Sequence, residues 1–442
     1  MDDVALAELR EFIAIPSISA DPAHREDVKR AGEWAAEFIR SKCGGTAQLT
    51  PWGEKELVLG EVPASTDPAN APTVLVYNHF DVQPPAPLDL WESDPFELTV
   101  KGDWAYARGV TDDKGQLFIM LKATQRLVAA NALPVNLRFA FDGEEEIGGT
   151  TIVDWIEQDE RGADAGIIFD GGMIRIDMPA FSLATRGLIS FDVKVTTGAR
   201  DLHSGMYGGA ALNATHALLQ SLVALRSRDG PLPEALRVGI VPPTQEELDG
   251  WRSLTAGADV LADQGARPAD PAAAEEFYVR TWAEPSLDVN GLSGGSAMLQ
   301  KTVIPALAEA NVSIRLVADQ DPDEIFPAVE RLLRDAAPPG ADVEVERWAS
   351  SPAGSVDPAS PAIRLAQDAF EHTVGTRPLL LRSGGSLPIV PALGERGIPA
   401  IITGFALPDS NVHSPNERLL LEYVPLGVAT ARELFSRFGE LR

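Results

Sequence analysis

Residues 73–81 read TVLVYNHFD, and the fold is decided there. The first five are a short, continuous apolar run of the kind buried on both faces of a sheet. The run then meets His79 and Asp81. In an extended chain residues i and i+2 face the same way. Asp81 can therefore accept from the imidazole nitrogen of His79 that does not touch a metal, the arrangement that fixes a ligand's tautomer. A His–Asp pair that caps a strand end is the other reading of the same residues.

Outward from this strand the pattern repeats. Val4, Leu6, Leu9, Phe12 and Ile13 recur at helical spacing, and so do Ala31, Trp34, Ala35, Phe38 and Ile39, with Gly44-Gly45 as the stop. Residues 117–129 predict a helix after Asp113. Residues 136–141 (NLRFAF) predict a strand opening on DGEEEIGG, and residues 165–169 (AGIIF) one opening on Asp170. Helices are expected over 362–372 and 426–438, with a buried strand, PAIIT, at 399–403. Strands alternating with helices and ending on polar residues predict an α/β sheet whose site lies at its strand ends.

After Arg186 the pattern changes. Residues 189–195 (ISFDVKV) alternate with period two, followed by a helix over 211–225, a strand over 303–316, a helix over 323–335 and alternation again over 342–347. A β-α-β-β-α-β order of this kind predicts a small α+β, ferredoxin-like domain inserted into the first. Residues 256–274, rich in Ala, Asp, Gly and Pro, read as a surface excursion with some helix. The expected organisation is a mixed-sheet α/β catalytic domain of residues 1–186 plus 352–442, interrupted by a lid and dimerisation domain at 187–351.

Composition bounds the function. The chain has 442 residues, 45 % hydrophobic and 23 % charged, enough for a sizeable core. Its 37 basic and 65 acidic residues leave a formal charge of −28, which repels phosphate backbones and anionic membranes. Neither nucleic acid nor membrane is expected as a partner. Cys43 is the single cysteine, which excludes an intramolecular disulfide and a thiolate zinc site. The N-terminus, MDDVALAELREFI, lacks the order of a signal peptide, so a soluble cytoplasmic protein is expected.

The polar strand ends carry the chemistry. Asp112 and Asp113, in ARGVTDDKGQ, stand where an extended segment meets a helix. Adjacent carboxylates repel, and they are best tolerated at a helix N-terminus or on a cation. An ordinary N-cap by Asp113 or Thr111 is the alternative. Glu144-Glu145-Glu146 would be costly beside a buried strand without a counter-charge. One of them can bind metal while its neighbour stays free as a general base, and a solvated charge run is the other reading. Asp170 closes IIFDGG, and His413 lies in NVHSPNE. Two divalent ions about 3.5–4 Å apart need such a set of histidines and acids, with one carboxylate bridging. Without a thiolate, the donor set suits zinc, manganese or cobalt.

In chain order HFDVQP, TDDKGQ, GEEEIGG, FDGG, DLHSGMYGG, KTVIP, RSGGSLP and HSPNE resemble the M20 family of di-metal peptidases, most closely its carnosine-dipeptidase-like branch. The likeness runs from near residue 10 to the C-terminal helix. It implies that His79 and Asp170 hold one metal, that Glu146 and His413 hold the other, and that Asp112 bridges them. Asp81 would orient His79. Glu145 would be the general base, taking a proton from a metal-bridging water and passing it to the leaving amine. The family's Glu-Glu-x-Gly pattern fits only Glu145-Glu146-Ile147-Gly148, and its Asp-x-Lys pattern selects Asp112 over Asp113.

The resemblance extends to substrate groups. His203, in DLHSGMYGG, resembles a histidine that reaches into the partner subunit's site and polarises the scissile carbonyl, which implies a homodimer. Thr302 and Arg315 match positions that bind the substrate's carboxylate, Arg315 by a charge-assisted bond. Gly385 and Ser386 match a loop that contacts the same carboxylate. His24, His216 and His372 read as background, Cys43 lacks the basic surroundings of a nucleophile, and Lys114 reads as charge balance for the bridging acid. The implied reaction is hydrolysis of dipeptides or short peptides with a free C-terminal carboxylate. The alternatives are aminoacylase action on N-acyl amino acids and a catalytically silent metal-binding homologue, against which the intact Glu145 argues.

Overall fold

Val74, Leu75, Val76 and Tyr77 are buried, and their strand, Thr73–His79, lies inside an eight-stranded mixed sheet. The computed structural model describes residues 1–441 except 53–54, 227–230, 297, 299–300 and 383–386. The chain forms two units: Met1–Leu183 with Val356–Leu381 and Ala392–Arg442, and Ala184–Ser355 with Arg382–Pro391.

Across the first unit's sheet the order is Thr46–Trp52, Lys55–Val62, Asn136–Asp142, Thr73–His79, Ala165–Ile168, Ala400–Ile402, Ala180–Ser182 and Leu379–Leu381. Thr73–His79 is parallel to Asn136–Asp142 on one side and to Ala165–Ile168 on the other, and Ala400–Ile402 continues in the same direction. After Thr73–His79 the chain fills one neighbouring position and then crosses to the other. His79 therefore ends the strand at the topological switch point, where the carboxyl ends of parallel strands open a crevice.

The helix Lys114–Ala129 is buried without interruption from Lys114 to Thr124. It packs against the central strand and the helices Asp3–Ile13 and Tyr423–Phe438, so it has no polar face to show. Lys114 corrects the reading made of it: its Nζ donates to the carbonyls of Phe12 at 3.2 Å and Ile15 at 2.6 Å, closing the end of the first helix. The hairpin of Thr46–Trp52 and Lys55–Val62 was not expected. Its outer strand is largely polar and contains Pro51, tolerated because an edge strand need not donate on both sides.

In the second unit four antiparallel strands lie in the order Ser286–Ser293, Leu307–Leu316, Gly187–Thr196 and Asp342–Ser351, with the helices Ala214–Val223 and Pro322–Ala336. That is the ferredoxin-like arrangement. Leu307–Leu316 alternates: Ala308, Ala310, Val312 and Ile314 join Ile189, Phe191, Val193 and the two helices in one core, while Glu309, Asn311, Ser313 and Arg315 occupy the other face. The strand expected over 303–316 is divided at Pro305. Val303–Ile304 pairs with Leu202–His203 in a separate ribbon, since proline has no N–H to continue a ladder. Among the described residues no helix is long and apolar enough to cross a membrane.

Candidate metal centre

The elements around the switch point bring together histidine and carboxylate side chains of the kinds that can hold a metal. His79 ends its strand opposite Asp142. Glu145 and Glu146 form the short turn after Asn136–Asp142, and Asp170 follows Ala165–Ile168. Asp112 lies just before the buried helix. His413 comes from the loop beyond Ala400–Ile402 and has left-handed backbone, φ 59°, a region histidine enters more readily than most residues.

Asp112 joins the two histidines. Its Oδ1 is 2.9 Å from His79 Nε2 and its Oδ2 is 2.9 Å from His413 Nε2. Each imidazole also has a second carboxylate. Asp170 Oδ1 is 3.7 Å from His79 Nε2, and Glu146 Oε2 is 3.0 Å from His413 Nε2. Behind the ring, His79 Nδ1 is 3.1 Å from the Asp81 carbonyl oxygen and 3.4 Å from its Oδ1. Among the described residues two groups have ligand atoms close enough to hold a metal: His79, Asp112 and Glu146, and His79, Asp113 and Asp170.

The electrostatics follow from crowding acids in a buried place. Burial disfavours a charged His79, but Asp170, Asp112 and Asp81 hold its pKa well above the usual value. Hydrogen bonds to Asp112 and Glu146 push His413 up to about 10. Burial opposes ionisation of Asp112, and the two imidazoles overcome it and hold Asp112 below the usual carboxylate range. Burial, with the neighbouring acids, raises Asp170 to about 6 and Glu145 to about 7. The imidazole protons face the carboxylates, where a bound cation would displace them. Oxygen and imidazole donors at this spacing fit divalent cations.

Asp113 differs from Asp112. Its Oδ2 accepts from Asn78 Nδ2 at 2.8 Å and from the His79 N–H at 3.0 Å, and its Oδ1 is buried without a hydrogen-bond partner. Burial, with the charge of Asp170 beside it, raises its pKa well above the usual carboxylate range. Glu144 turns away from the cluster and accepts the Thr151 N–H at 2.9 Å, pegging the turn that carries Glu145 and Glu146. Asn78, Gln83, Arg108 and Glu417 also support the cluster, and the sequence reading assigned none of them a role. All four lie inside quoted stretches, but their partners are distant in the chain.

His203, Thr302 and Arg315 belong to the second unit. His203 is exposed, and its Nδ1 accepts the Gly205 N–H at 3.1 Å, capping the short helix Ser204–Tyr207. Thr302 is its near neighbour, with its carbonyl accepting from Ser204 N at 3.0 Å and Ser204 Oγ at 2.8 Å. Arg315 is exposed on Leu307–Leu316. Gly385 and Ser386 lie outside the described residues.

The model of peptidase family M20/M25/M40 matches residues 75–437, a span that takes in every residue of this cluster. The Cys-Gly metallodipeptidase of Schizosaccharomyces pombe is 30% identical, over 96% of this chain and 94% of its own length. Among solved structures, human carnosine dipeptidase 1 gives a TM-score of 0.71 at 26% identity, covering 99% of this chain and 96% of that one. The M20 metallo-carboxypeptidase Sso-CP2 of Sulfolobus solfataricus gives 0.78 at 26% identity, covering 99% and 100%. Through that match across most of its length, the chain belongs to peptidase family M20/M25/M40.

Proposed function

We propose that this chain is a metal-dependent dipeptidase acting on dipeptides or short peptides with a free C-terminal carboxylate. The observation that carries the reading is Asp112, whose two oxygens each face a different imidazole at 2.9 Å. A carboxylate so placed suits a bridge between two cations. His79 and Asp170 would hold one, Glu146 and His413 the other. Two divalent ions, zinc by preference with manganese or cobalt as alternatives, supply charge that polarises the scissile carbonyl and lowers the pKa of the attacking water. Glu145 would take a proton from that water on its carboxylate and return it to the leaving amine as the C–N bond breaks. Raised to about 7 by burial, it lies where a group can both accept and give a proton. Asp81 would keep the His79 ring oriented.

In this reading residues 1–186 with 352–442 are the catalytic domain and 187–351 the lid. His203 would donate to the developing oxyanion of the partner subunit's substrate, making the homodimer the working unit. Thr302, Arg315, Gly385 and Ser386 would hold the terminal carboxylate. The buried, unpaired Cys43 is compatible with the reducing cytoplasm. Likeness to Sso-CP2 favours carboxypeptidase action on longer peptides as the second reading.

The test is turnover of dipeptides, longer peptides and N-acetyl amino acids by metal-stripped protein reloaded with zinc or manganese. Metal-dependent cleavage of the dipeptides supports the proposal and names the working ion. Preference for longer peptides supports the second reading, and preference for N-acetyl compounds overturns both in favour of an aminoacylase.

A further inference from the structure

Arg108 and Glu417 form an ion pair with Nη1 2.7 Å from Oε2, and their side chains are 1% and 0% exposed. Glu417 Oε1 accepts the N–H of Thr111 at 2.8 Å and of Asp112 at 3.1 Å, while Oε2 also accepts the N–H of Gly109 at 3.0 Å. One carboxylate thus gathers the backbone that ends at Asp112. Arg108 Nη2 points to the carbonyls of Pro84 at 3.5 Å and Ser414 at 3.4 Å. Ser414 follows His413, and Pro84 follows Gln83. Gln83 in turn holds Glu146: its N–H donates to Oε1 at 3.2 Å, and its Nε2 to Oε2 at 3.0 Å and to the Glu146 carbonyl at 2.9 Å.

We infer that Gln83, Arg108 and Glu417 are positioning residues for the cation ligands Asp112, Glu146 and His413. Gln83 serves Glu146, and so a single cation site, while Glu417 serves the bridging Asp112. The inference rests on the ligand assignment proposed above. Those three ligands come from segments far apart in the sequence, and this frame fastens each of them. His413 needs such help, because its side chain is 54% exposed on a loop and has little packing to hold it. Desolvating a lone ion pair is costly and stabilises a fold weakly. Here the same two side chains also satisfy the N–H and carbonyl groups of the ligand-bearing segments. His79 is held separately, by its buried strand and by Asp113 and Asn78. Loosening Gln83 therefore weakens one cation and leaves the other, whereas loosening Glu417, which holds the bridging Asp112, reaches both.

The experiment is calorimetric titration of metal-stripped protein with zinc chloride, with a thermal melt of each variant alongside. Wild type is expected to bind two ions per chain. Glu417→Gln keeps the side-chain size but sets an amide NH2 against two N–H donors, and Gln83→Ala removes two hydrogen bonds from a half-buried side chain. Gln83→Ala should keep one tight site and weaken the other about 10–100-fold, the usual effect of losing a group behind a ligand, and Glu417→Gln, which loosens the bridging Asp112, should weaken both. In a His413→Ala background, Gln83→Ala should leave the remaining site unchanged. Two unaltered sites in either folded variant, or equal weakening of both in Gln83→Ala, would overturn the inference. If Glu417→Gln does not fold, Gln83→Ala decides alone. Failure of wild type to bind two ions would instead overturn the ligand assignment.

Discussion

Asp81 stands directly behind His79, its Oδ1 3.4 Å from the imidazole Nδ1, and both side chains are fully buried. The Asp81 carbonyl reaches the same nitrogen at 3.1 Å, so that hydrogen bond directs the ring and leaves Nε2 facing Asp112, with the carboxylate close beside it. The carboxylate adds charge that the carbonyl lacks and raises the basicity of the ring. Asp81→Asn should therefore lower metal affinity or turnover about 10–100-fold while the fold is kept. A chelator-competition assay measures it. Unchanged affinity would mean that the backbone oxygen alone orients His79.

The three consecutive glutamates separate by partner. Glu145→Gln should retain two metals and lose about 10²–10⁴-fold in turnover, the usual value of a general base. Glu144→Gln should act on stability instead, because Glu144 accepts from Thr151 and lies against Gly149, where a Cβ would come 2.1 Å from its carboxyl carbon. A loss of about 1–3 kcal/mol in urea unfolding, with turnover changed little, is expected. A reversal of the two phenotypes would move the base to Glu144.

What the sequence made legible was local. His79 ends a strand of strong apolar pattern, Glu145 and Asp170 closely follow two others, and Asp112 precedes a buried helix, so their places could be read directly. His413 lies in a loop and was legible only through its motif. Glu417 could not be read, since its meaning lies in Arg108, 309 positions away, and in backbone N–H groups that have no letter in a sequence. The strand Ser286–Ser293 escaped for a different reason. SLDVNGLS is polar and interrupted by a bulge at Asn290, and only pairing with Leu307–Leu316 makes it a strand.

His203→Ala should lower kcat with metal content unchanged, because its exposed imidazole is in the unit that lacks the metal cluster. If it serves the partner's site, mixing His203→Ala with Glu145→Ala chains restores activity. Random pairing puts one complete site in half of the dimers, giving about a quarter of wild-type turnover. Mixtures that stay as inactive as their parents would show that His203 acts within its own chain or only caps Ser204–Tyr207.

Cys43 gives a pH test that is independent of metal. It is fully buried, with Sγ 3.6 Å from the Leu121 carbonyl, and burial raises its thiol from 9.0 to about 12. Between these values the unfolded chain ionises the thiol while the folded chain keeps its proton. The folded state then binds more protons, so stability is full below about pH 9 and falls as pH rises, by about 1.4 kcal/mol per unit. Cys43→Ala lacks that loss but carries the cost of a small cavity at every pH. Wild type should therefore be the more stable at pH 8, and the gap should narrow by about 1.4 kcal/mol at pH 10 in paired urea unfolding curves. A gap independent of pH would mean that the folded thiol ionises as easily as the unfolded one. Iodoacetamide would then modify the native chain at pH 9, whereas the buried thiol should react only after unfolding.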